Sequence, residues 1–105
     1  MVIVETHIFT RLIAELLPDD DYRGLQSALV LRPEQGAVIR GAYGLRKLRW
    51  SQPGRGKRGG LRVFYYWDQG ADRIYMIYAI EKTRQEDLTP AQEKKLGRVM
   101  REELR

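Results

Sequence analysis

The chain contains no cysteine and only one histidine, His7. Without cysteine it cannot form a disulfide framework, a cysteine nucleophile or a thiolate metal site. One histidine cannot supply the imidazole pair of a two-histidine ribonuclease or a multi-histidine metal site. We therefore expect no metal or other cofactor. We expect a structural role for His7, because many residues separate it from the basic segment described below.

Long apolar runs are also missing. No stretch approaches the roughly 20 residues that cross a bilayer, and the first five residues, MVIVE, lack the basic start and cleavage site of a signal peptide. We therefore expect a cytoplasmic protein with no membrane partner. The 105 residues, of which 43% are hydrophobic and 31% charged, predict one folded domain spanning 1–105.

Acidic residues are absent between Glu34 and Asp68. The same segment contains eight basic residues: Arg40, Arg46, Lys47, Arg49, Arg55, Lys57, Arg58 and Arg62. Because the whole chain has a net charge of only +5, the remaining residues together are net negative. Such a concentration of positive charge is typical of proteins that bind nucleic acid, and a merely solvated basic face is the alternative.

The hydrophobic pattern predicts two helices near the N-terminus. Residues 2–8 are apolar and β-branched and indicate a first strand. Apolar residues then recur at helical spacing until Pro18, and the acidic run 19–21 is expected to cap a second helix that ends near Arg32-Pro33. The short connection between them predicts an antiparallel helical hairpin.

The remainder predicts a meander of strands and a final helix. Strands are expected at residues 45–50, 61–67 and 73–80, with a Gly-rich basic loop between the first two. Thr89, Pro90 and Gln92 have the spacing of a helix start with a capping box. The predicted fold is α+β, in the order β-α-α-β-β-β-α, with a small, mainly antiparallel sheet.

Strand alternation predicts which basic and aromatic side chains share a face. Lys47 and Arg49 lie on one face of their strand, and Arg46 lies on the other. On the strand at residues 61–67, one face carries Arg62, Phe64 and Tyr66, and on the strand at residues 73–80, one face carries Met76, Tyr78 and Ile80, followed by Lys82. The opposite side is expected to lie in the core, and it carries Trp50, Tyr65, Trp67 and Tyr75. If the faces of Lys47, Arg62 and Lys82 coincide, cations and aromatic rings meet in one groove. Guanidinium groups bind phosphates and aromatic rings stack unpaired bases, so this pattern favours single-stranded RNA.

Cleavage of RNA by such a groove requires a base for the 2′-OH and stabilisation of the phosphorane. No carboxylate cluster lies near these cations in the sequence, so we do not expect a Mg²⁺-dependent nuclease. A lysine crowded by cations can lose its proton, which makes Lys47 and Lys57 the candidate bases, with Arg62 as the phosphate clamp. A lysine base without a matched acid is a weak catalyst. On spacing alone, a groove that only binds phosphates is the simpler interpretation.

Three segments of the chain resemble RelE-type toxins. They are residues 44–49 (GLRKLR), residues 56–66 (GKRGGLRVFYY), and residues 75–82 followed by Asp87-Leu88-Thr89. The resemblance covers nearly the whole chain and is greatest to the HigB branch of the RelE/ParE superfamily. It implies a RelE-like fold and a ribosome-dependent endoribonuclease, or mRNA interferase, that inhibits translation by cutting mRNA in the A site. It also implies a cognate antitoxin, expected to be a helix-turn-helix DNA-binding protein, through which the complex binds operator DNA.

The resemblance also implies roles for individual residues. Five are expected to be catalytic, namely Lys47, Arg49, Lys57, Arg62 and Lys82, and five are expected to contact RNA, namely Arg46, Arg55, Arg58, Tyr66 and Tyr78. The sequence departs from the branch at Ile80-Glu81, where Tyr-Gly often stands, and Tyr78 is the candidate to replace the missing ring. Two alternatives are a non-catalytic nucleic-acid-binding module and a gyrase-poisoning toxin of the ParE type. The basic loop and Arg62 argue against the second, because that branch lacks the nuclease residues.

Overall fold

The structure is a computed structural model that describes residues 1–51, 60–81 and 87–104. Its elements are β1 (Val2–Glu5), α1 (His7–Leu16), α2 (Asp19–Leu31), β2 (Ala37–Val38), β3 (Arg46–Trp50), β4 (Leu61–Asp68), β5 (Arg73–Glu81) and α3 (Pro90–Glu103). The predicted α+β class is confirmed. The predicted element order is incomplete, because β2, at two residues, is too short to leave a periodic signal.

The strands form one five-stranded sheet in the order β1-β5-β4-β3-β2. β1 pairs with β5 in parallel, and the other neighbours are antiparallel. β3, β4 and β5 therefore form the predicted meander, and they place Lys47 opposite Phe64 and Phe64 opposite Tyr78.

The helical hairpin differs from its prediction at both helix starts. The Thr6 side chain accepts a hydrogen bond from Phe9 N–H at 3.0 Å, so α1 begins at His7 and the first strand ends at Glu5 rather than at residue 8. At the start of α2 the N-cap residue is Pro18, whose side chain cannot accept a hydrogen bond from the backbone. The acidic residues 19–21 lie in the first helical turn instead, where their negative charge still favours the helix dipole.

The sheet separates two apolar clusters. One face packs against α1 and α2, and its cluster includes Phe9, Leu25 and Tyr65, with Trp50 and Trp67 at its margin. The other face packs against α3, and this second cluster contains Ala42, Leu45, Phe64, Ile77, Ile80 and Met100. The prediction that both tryptophans and Tyr65 lie on the face away from Lys47 and Arg62 is confirmed.

A β-bulge in β5 corrects two of the predicted faces. Tyr65 pairs with Met76 and Phe64 pairs with Tyr78, so Ile77 is the extra residue. Met76 consequently packs under the helical hairpin, while Tyr78 and Ile80 lie under α3. Tyr75, expected on the opposite face, lies on the α3 face, where its ring stacks on Tyr66 at a centroid distance of 6.3 Å. Strict alternation fails here because a bulge inserts one residue without a partner.

Thr89 and Gln92 form the predicted capping box at the start of α3, which is confirmed.

α3 lies close to the sheet because one of its residues has no side chain. Gly97 is buried, and a Cβ atom there would lie 2.2 Å from the Ala42 carbonyl oxygen. The helix backbone therefore packs directly on the turn at residues 41–42. This contact positions the middle of α3 against that turn.

Within the part of the chain that the structure describes, no helix has the length and apolar character needed to cross a membrane.

Candidate functional site

Lys47 and Arg62 lie on the same face of the sheet, which meets the condition set by the sequence for these two residues. Lys47 is on β3 directly opposite Phe64, and Arg62 precedes Phe64 by two residues on β4, so both side chains point toward α3. Arg62 is only 6% exposed. The Lys47 ammonium lies 5.8 Å from the centre of the Phe64 ring, which gives it an aromatic support. These two cations are therefore positioned by neighbouring strands inside the sheet.

Two carboxylates from the α3 region meet these cations. Lys47 Nζ donates to Asp87 Oδ2 at 2.5 Å and to Glu93 Oε2 at 3.2 Å. Arg62 Nε lies 3.6 Å from the same Asp87 Oδ2. Asp87 thus connects both cations, and we call these four residues (Lys47, Arg62, Asp87 and Glu93) the ion-pair cluster.

The charge state of Asp87 follows from its neighbours. Burial alone would raise the pKa of Asp87. The hydrogen bonds from Lys47 and from the Leu88 N–H, together with the positive charges of Lys47 and Arg62, outweigh burial and hold the pKa of Asp87 below its usual value. Asp87 is therefore an ionised anion between two cations at neutral pH.

The ion-pair cluster corrects one expectation from the sequence. The sequence predicts a Lys47 crowded by cations, with no carboxylate cluster near them, whereas Asp87 and Glu93 are both bonded to Lys47. They lie 40 and 46 residues further along the chain, and no periodic pattern relates such distant positions. The Asp87-Leu88-Thr89 segment belongs to the resemblance, so the sequence could single it out. The sequence could not indicate that Asp87 contacts Lys47. In the described ranges, no three histidine, cysteine or acidic residues are grouped so that they could hold a metal ion.

The guanidinium of Arg62 is held from one side. Its Nη1 donates to the Gly60 carbonyl oxygen at 3.0 Å. Its Nε is buried and has no hydrogen-bond partner among the residues that the structure describes. A buried donor without a partner is costly, so this nitrogen favours an anionic acceptor at short range. Asp87, at 3.6 Å, lies just beyond hydrogen-bond distance of it.

Arg49 and Arg46 differ in their surroundings. Arg49 is exposed and pairs across the strands with Arg62, which adds a further positive charge at the edge of the ion-pair cluster. Arg46 lies on the opposite face, as alternation predicted. Its Nη1 donates to the carbonyl oxygens of Glu34 and Gly36 at 3.0 and 2.9 Å, and its guanidinium lies 5.9 Å from the centre of the Trp67 ring. These contacts hold the turn after α2, away from the ion-pair cluster.

The two tyrosines expected to contact RNA occupy different ends of the α3 face. Tyr78 lies opposite Phe64, with the ring centres 6.3 Å apart, and it lines a groove with Leu88 and Leu96 near the ion-pair cluster. Tyr66 lies four residues beyond Arg62 on β4, at the other end of α3. The remaining predicted site residues, Arg55, Lys57, Arg58 and Lys82, lie outside the described residues.

A comparison with solved structures identifies a similar fold. The chain resembles the free-state structure of a doubly substituted mutant of the toxin RelE from E. coli, with a TM-score of 0.57 and 17% sequence identity. The match covers 81% of this chain and 86% of the RelE chain. The predicted RelE-like fold is confirmed at this level, and assignment to the HigB branch stays a prediction. No family model matches the sequence.

Proposed function

We propose that this protein is the toxin of a type II toxin–antitoxin system and that it cleaves mRNA on the ribosome. The observation that carries the proposal is the convergence of Lys47 and Arg62 on one anion, the Asp87 carboxylate. A scissile phosphate has the same sign of charge and accepts the same hydrogen bonds. The RelE-like fold and the resemblance of residues 44–49 and 56–66 support the same function.

The chemistry would be transfer of the phosphoryl group to the neighbouring 2′-OH, without a metal or other cofactor. Arg62 would hold the scissile phosphate and stabilise the phosphorane, because its buried Nε lacks a partner among the residues described. Lys47, which donates hydrogen bonds at this site, would protonate the departing 5′-oxygen. Arg49 would add positive charge at the rim. Lys57 and Lys82 remain proposed on the resemblance alone.

The described residues of the ion-pair cluster include no strong base to accept the proton of the 2′-OH. Among the described groups of the ion-pair cluster, the carboxylates of Asp87 and Glu93 can accept the 2′-OH proton. A carboxylate whose pKa is held low, as that of Asp87 is, accepts a proton poorly near neutral pH. The ribosome would then supply what the protein lacks, by holding the mRNA in a reactive geometry.

The proposal includes the partners that the resemblance implies. These are the ribosome with its mRNA, and a cognate DNA-binding antitoxin through which the complex would contact operator DNA. One observation favours a second candidate, a non-catalytic nucleic-acid-binding module: both contacts of Lys47 with Asp87 and Glu93 neutralise the lysine that would take part in catalysis.

Primer extension on mRNA held in programmed ribosomes tests the proposal. The wild-type protein is expected to cut within the A-site codon, and Arg62→Met is expected to leave the message intact. Arg23→Met is the matched control, because Arg23 is exposed on α2 and pairs only with Asp20 among the described ion pairs. Intact mRNA with wild-type protein, when a known interferase cuts in the same assay, would favour the binding module. Equal cutting by Arg62→Met and wild type would show that cleavage does not depend on Arg62 and would contradict the assignment of this site.

A further inference from the structure

A second cavity lies at the C-terminal end of α3, on the same sheet face as the ion-pair cluster. Its volume is 210 Å³, and its lining includes Tyr43, Tyr66, Tyr75, Asp68 and Arg101. We call it the tyrosine pocket. Clefts for drug-sized ligands begin at about 300 Å³, so this one suits a single planar nucleobase rather than a whole nucleotide.

The rings of the tyrosine pocket are held in place by the fold. Tyr66 and Tyr75 stack with an interplanar angle of 24°. Tyr43 is 47% exposed and has a φ of +58°, a left-handed conformation that a bulky residue rarely adopts. Such strain persists where the surroundings impose it and is concentrated at binding and catalytic sites. Tyr43 lies in a turn closed by a hydrogen bond from the Leu45 N–H to the Ala42 carbonyl oxygen at 3.2 Å, and this turn presents its ring to the solvent from a backbone position that disfavours a bulky residue.

The charges around the pocket indicate what it would bind. The Arg101 guanidinium lies 4.7 Å from the centre of the Tyr43 ring, and Arg73 lies beside the Tyr75 hydroxyl. Arg101 in the lining and Arg73 next to it outnumber the one carboxylate of the lining, Asp68, and this balance disfavours a basic side chain as the occupant. They favour a neutral ring attached to an anionic backbone, which describes a base in single-stranded nucleic acid.

The pocket is placed along a path from the ion-pair cluster. Tyr66 follows Arg62 by four residues on β4, which corresponds to about 13 Å at the usual strand rise. Lys94, Arg98 and Arg101 recur at the spacing of one helix stripe between the two ends of α3. The Lys94 side chain lies beside Gly41, so this stripe borders the turn that carries Tyr43. An RNA backbone held at Arg62 therefore has a line of cations leading to the pocket.

We propose that the tyrosine pocket binds one unpaired nucleobase of the RNA and that Asp68 selects guanine. The Asp68 carboxylate accepts a hydrogen bond from the Ala71 N–H at 3.2 Å through Oδ1. A carboxylate at the pocket wall accepts best from guanine, which presents N1–H and N2–H side by side, whereas uracil presents a single ring N–H. This inference rests on the proposed function, since it names a subsite for the same substrate.

Binding of uncut RNA in solution tests the pocket separately from cleavage. The probes are a fluorescein-labelled nine-uridine RNA and the same RNA with one central guanosine, and the readout is anisotropy. The wild-type protein is expected to bind the guanosine RNA at least about five-fold more tightly, the lower end of the discrimination that one bidentate hydrogen-bonded pair gives. Asp68→Asn, whose Oδ1 can still accept from Ala71, is expected to lose this preference.

Tyr43→Gly is the decisive variant because it removes the ring and also relieves the strained φ. Its melting temperature is expected to equal or exceed that of the wild type, while its affinity for the guanosine RNA falls to that for the uridine RNA. Lys95→Gln, which lies in the other groove, lowers the positive charge of the same helix without touching the pocket; it should weaken binding of both RNAs alike and keep the preference. A preference retained in Tyr43→Gly, or no measurable binding of either RNA by wild type, overturns the proposal.

The remaining outcomes separate the two proposals and the two classes of occupant. A protein that cuts ribosomal mRNA but shows no base preference contradicts only the pocket. One that shows the preference but does not cut contradicts only the proposed function. If an arginine-rich peptide binds with a dependence on Tyr43 and RNA does not, the occupant is a protein cation and the nucleobase assignment is wrong.

Discussion

Lys47 Nζ and Asp87 Oδ2 lie 2.5 Å apart although 40 residues separate them in the sequence. The bond joins β3 to the segment that precedes α3. The same Asp87 oxygen also faces Arg62, so one carboxylate neutralises part of the cationic surface on which the proposed function depends. Substitutions around this bond therefore test both the stability of the fold and the reactivity of the site.

The first prediction concerns the acid stability of the ion-pair cluster. The folded protein holds the pKa of Asp87 below its unfolded value, which is about 3.9. Its contribution to the free energy of unfolding is therefore present above roughly pH 4 and is lost as pH falls through the lower folded value. We expect Asp87→Asn to cost about 1–2 kcal/mol at pH 6, since the carboxylate is only partly exposed.

Urea unfolding of both proteins at pH 6 and pH 3 measures this contribution. The difference in unfolding free energy between wild type and Asp87→Asn should shrink at the lower pH. Asp20→Asn is a suitable control, because Asp20 pairs with Arg23 at an exposed position, and its effect should be small at both values. A difference for Asp87→Asn that is the same at both pH values would show that its charge is not the stabilising element.

The second prediction concerns the close approach of α3 to the sheet. A methyl group on Gly97 would meet the Ala42 backbone at 2.2 Å, and neither backbone can move without shifting the helix. We expect Gly97→Ala to lower the free energy of unfolding by about 1–3 kcal/mol. Because the helix positions Glu93, ribosomal cleavage should fall as well.

Gly24 provides the matched comparison for this substitution. It is exposed within α2, and a Cβ atom there would meet nothing within 4 Å. Gly24→Ala is therefore expected to stabilise the protein by about 0.5–1 kcal/mol through helix propensity. Thermal unfolding monitored by circular dichroism compares the two variants. Similar melting temperatures for both would contradict the packing of α3 on the turn at residues 41–42.

The third prediction concerns a buried hydroxyl under the helical hairpin. The Tyr65 hydroxyl accepts from the Gly36 N–H at 2.8 Å and donates to the Pro33 carbonyl oxygen at 2.7 Å. Tyr65→Phe leaves both backbone groups without this partner and is expected to cost about 1–3 kcal/mol in urea unfolding. Tyr43→Phe, at an exposed ring, should cost far less. Equal effects would mean that the hydroxyl does not hold the turn after α2.

The elements with local signals were predictable from the sequence. The capping box of α3 needs only residues 89–92, and strand alternation is sufficient to group Lys47 with Arg49 and Arg62 with Phe64. That the two groups share a face depends on the pairing of β3 with β4. The bulge at Ile77 was not predictable, because it depends on how β4 and β5 pair rather than on the composition of either strand. The contacts of Asp87 and Glu93 with Lys47 were missed for a related reason. They depend on how α3 and the segment before it pack on the sheet, which is a tertiary relationship between distant segments.

The central claim is that Lys47 and Arg62 act on an RNA phosphodiester without a metal. The most direct measurement is the chemistry of the new ends after cleavage of ribosome-bound mRNA, determined by mass spectrometry. Attack by the 2′-OH predicts a 2′,3′-cyclic phosphate on one fragment and a 5′-OH on the other, with the yield falling about 10²-fold or more in Lys47→Met. Fragments with a 3′-OH and a 5′-phosphate, or a yield unchanged by Lys47→Met, would contradict the claim.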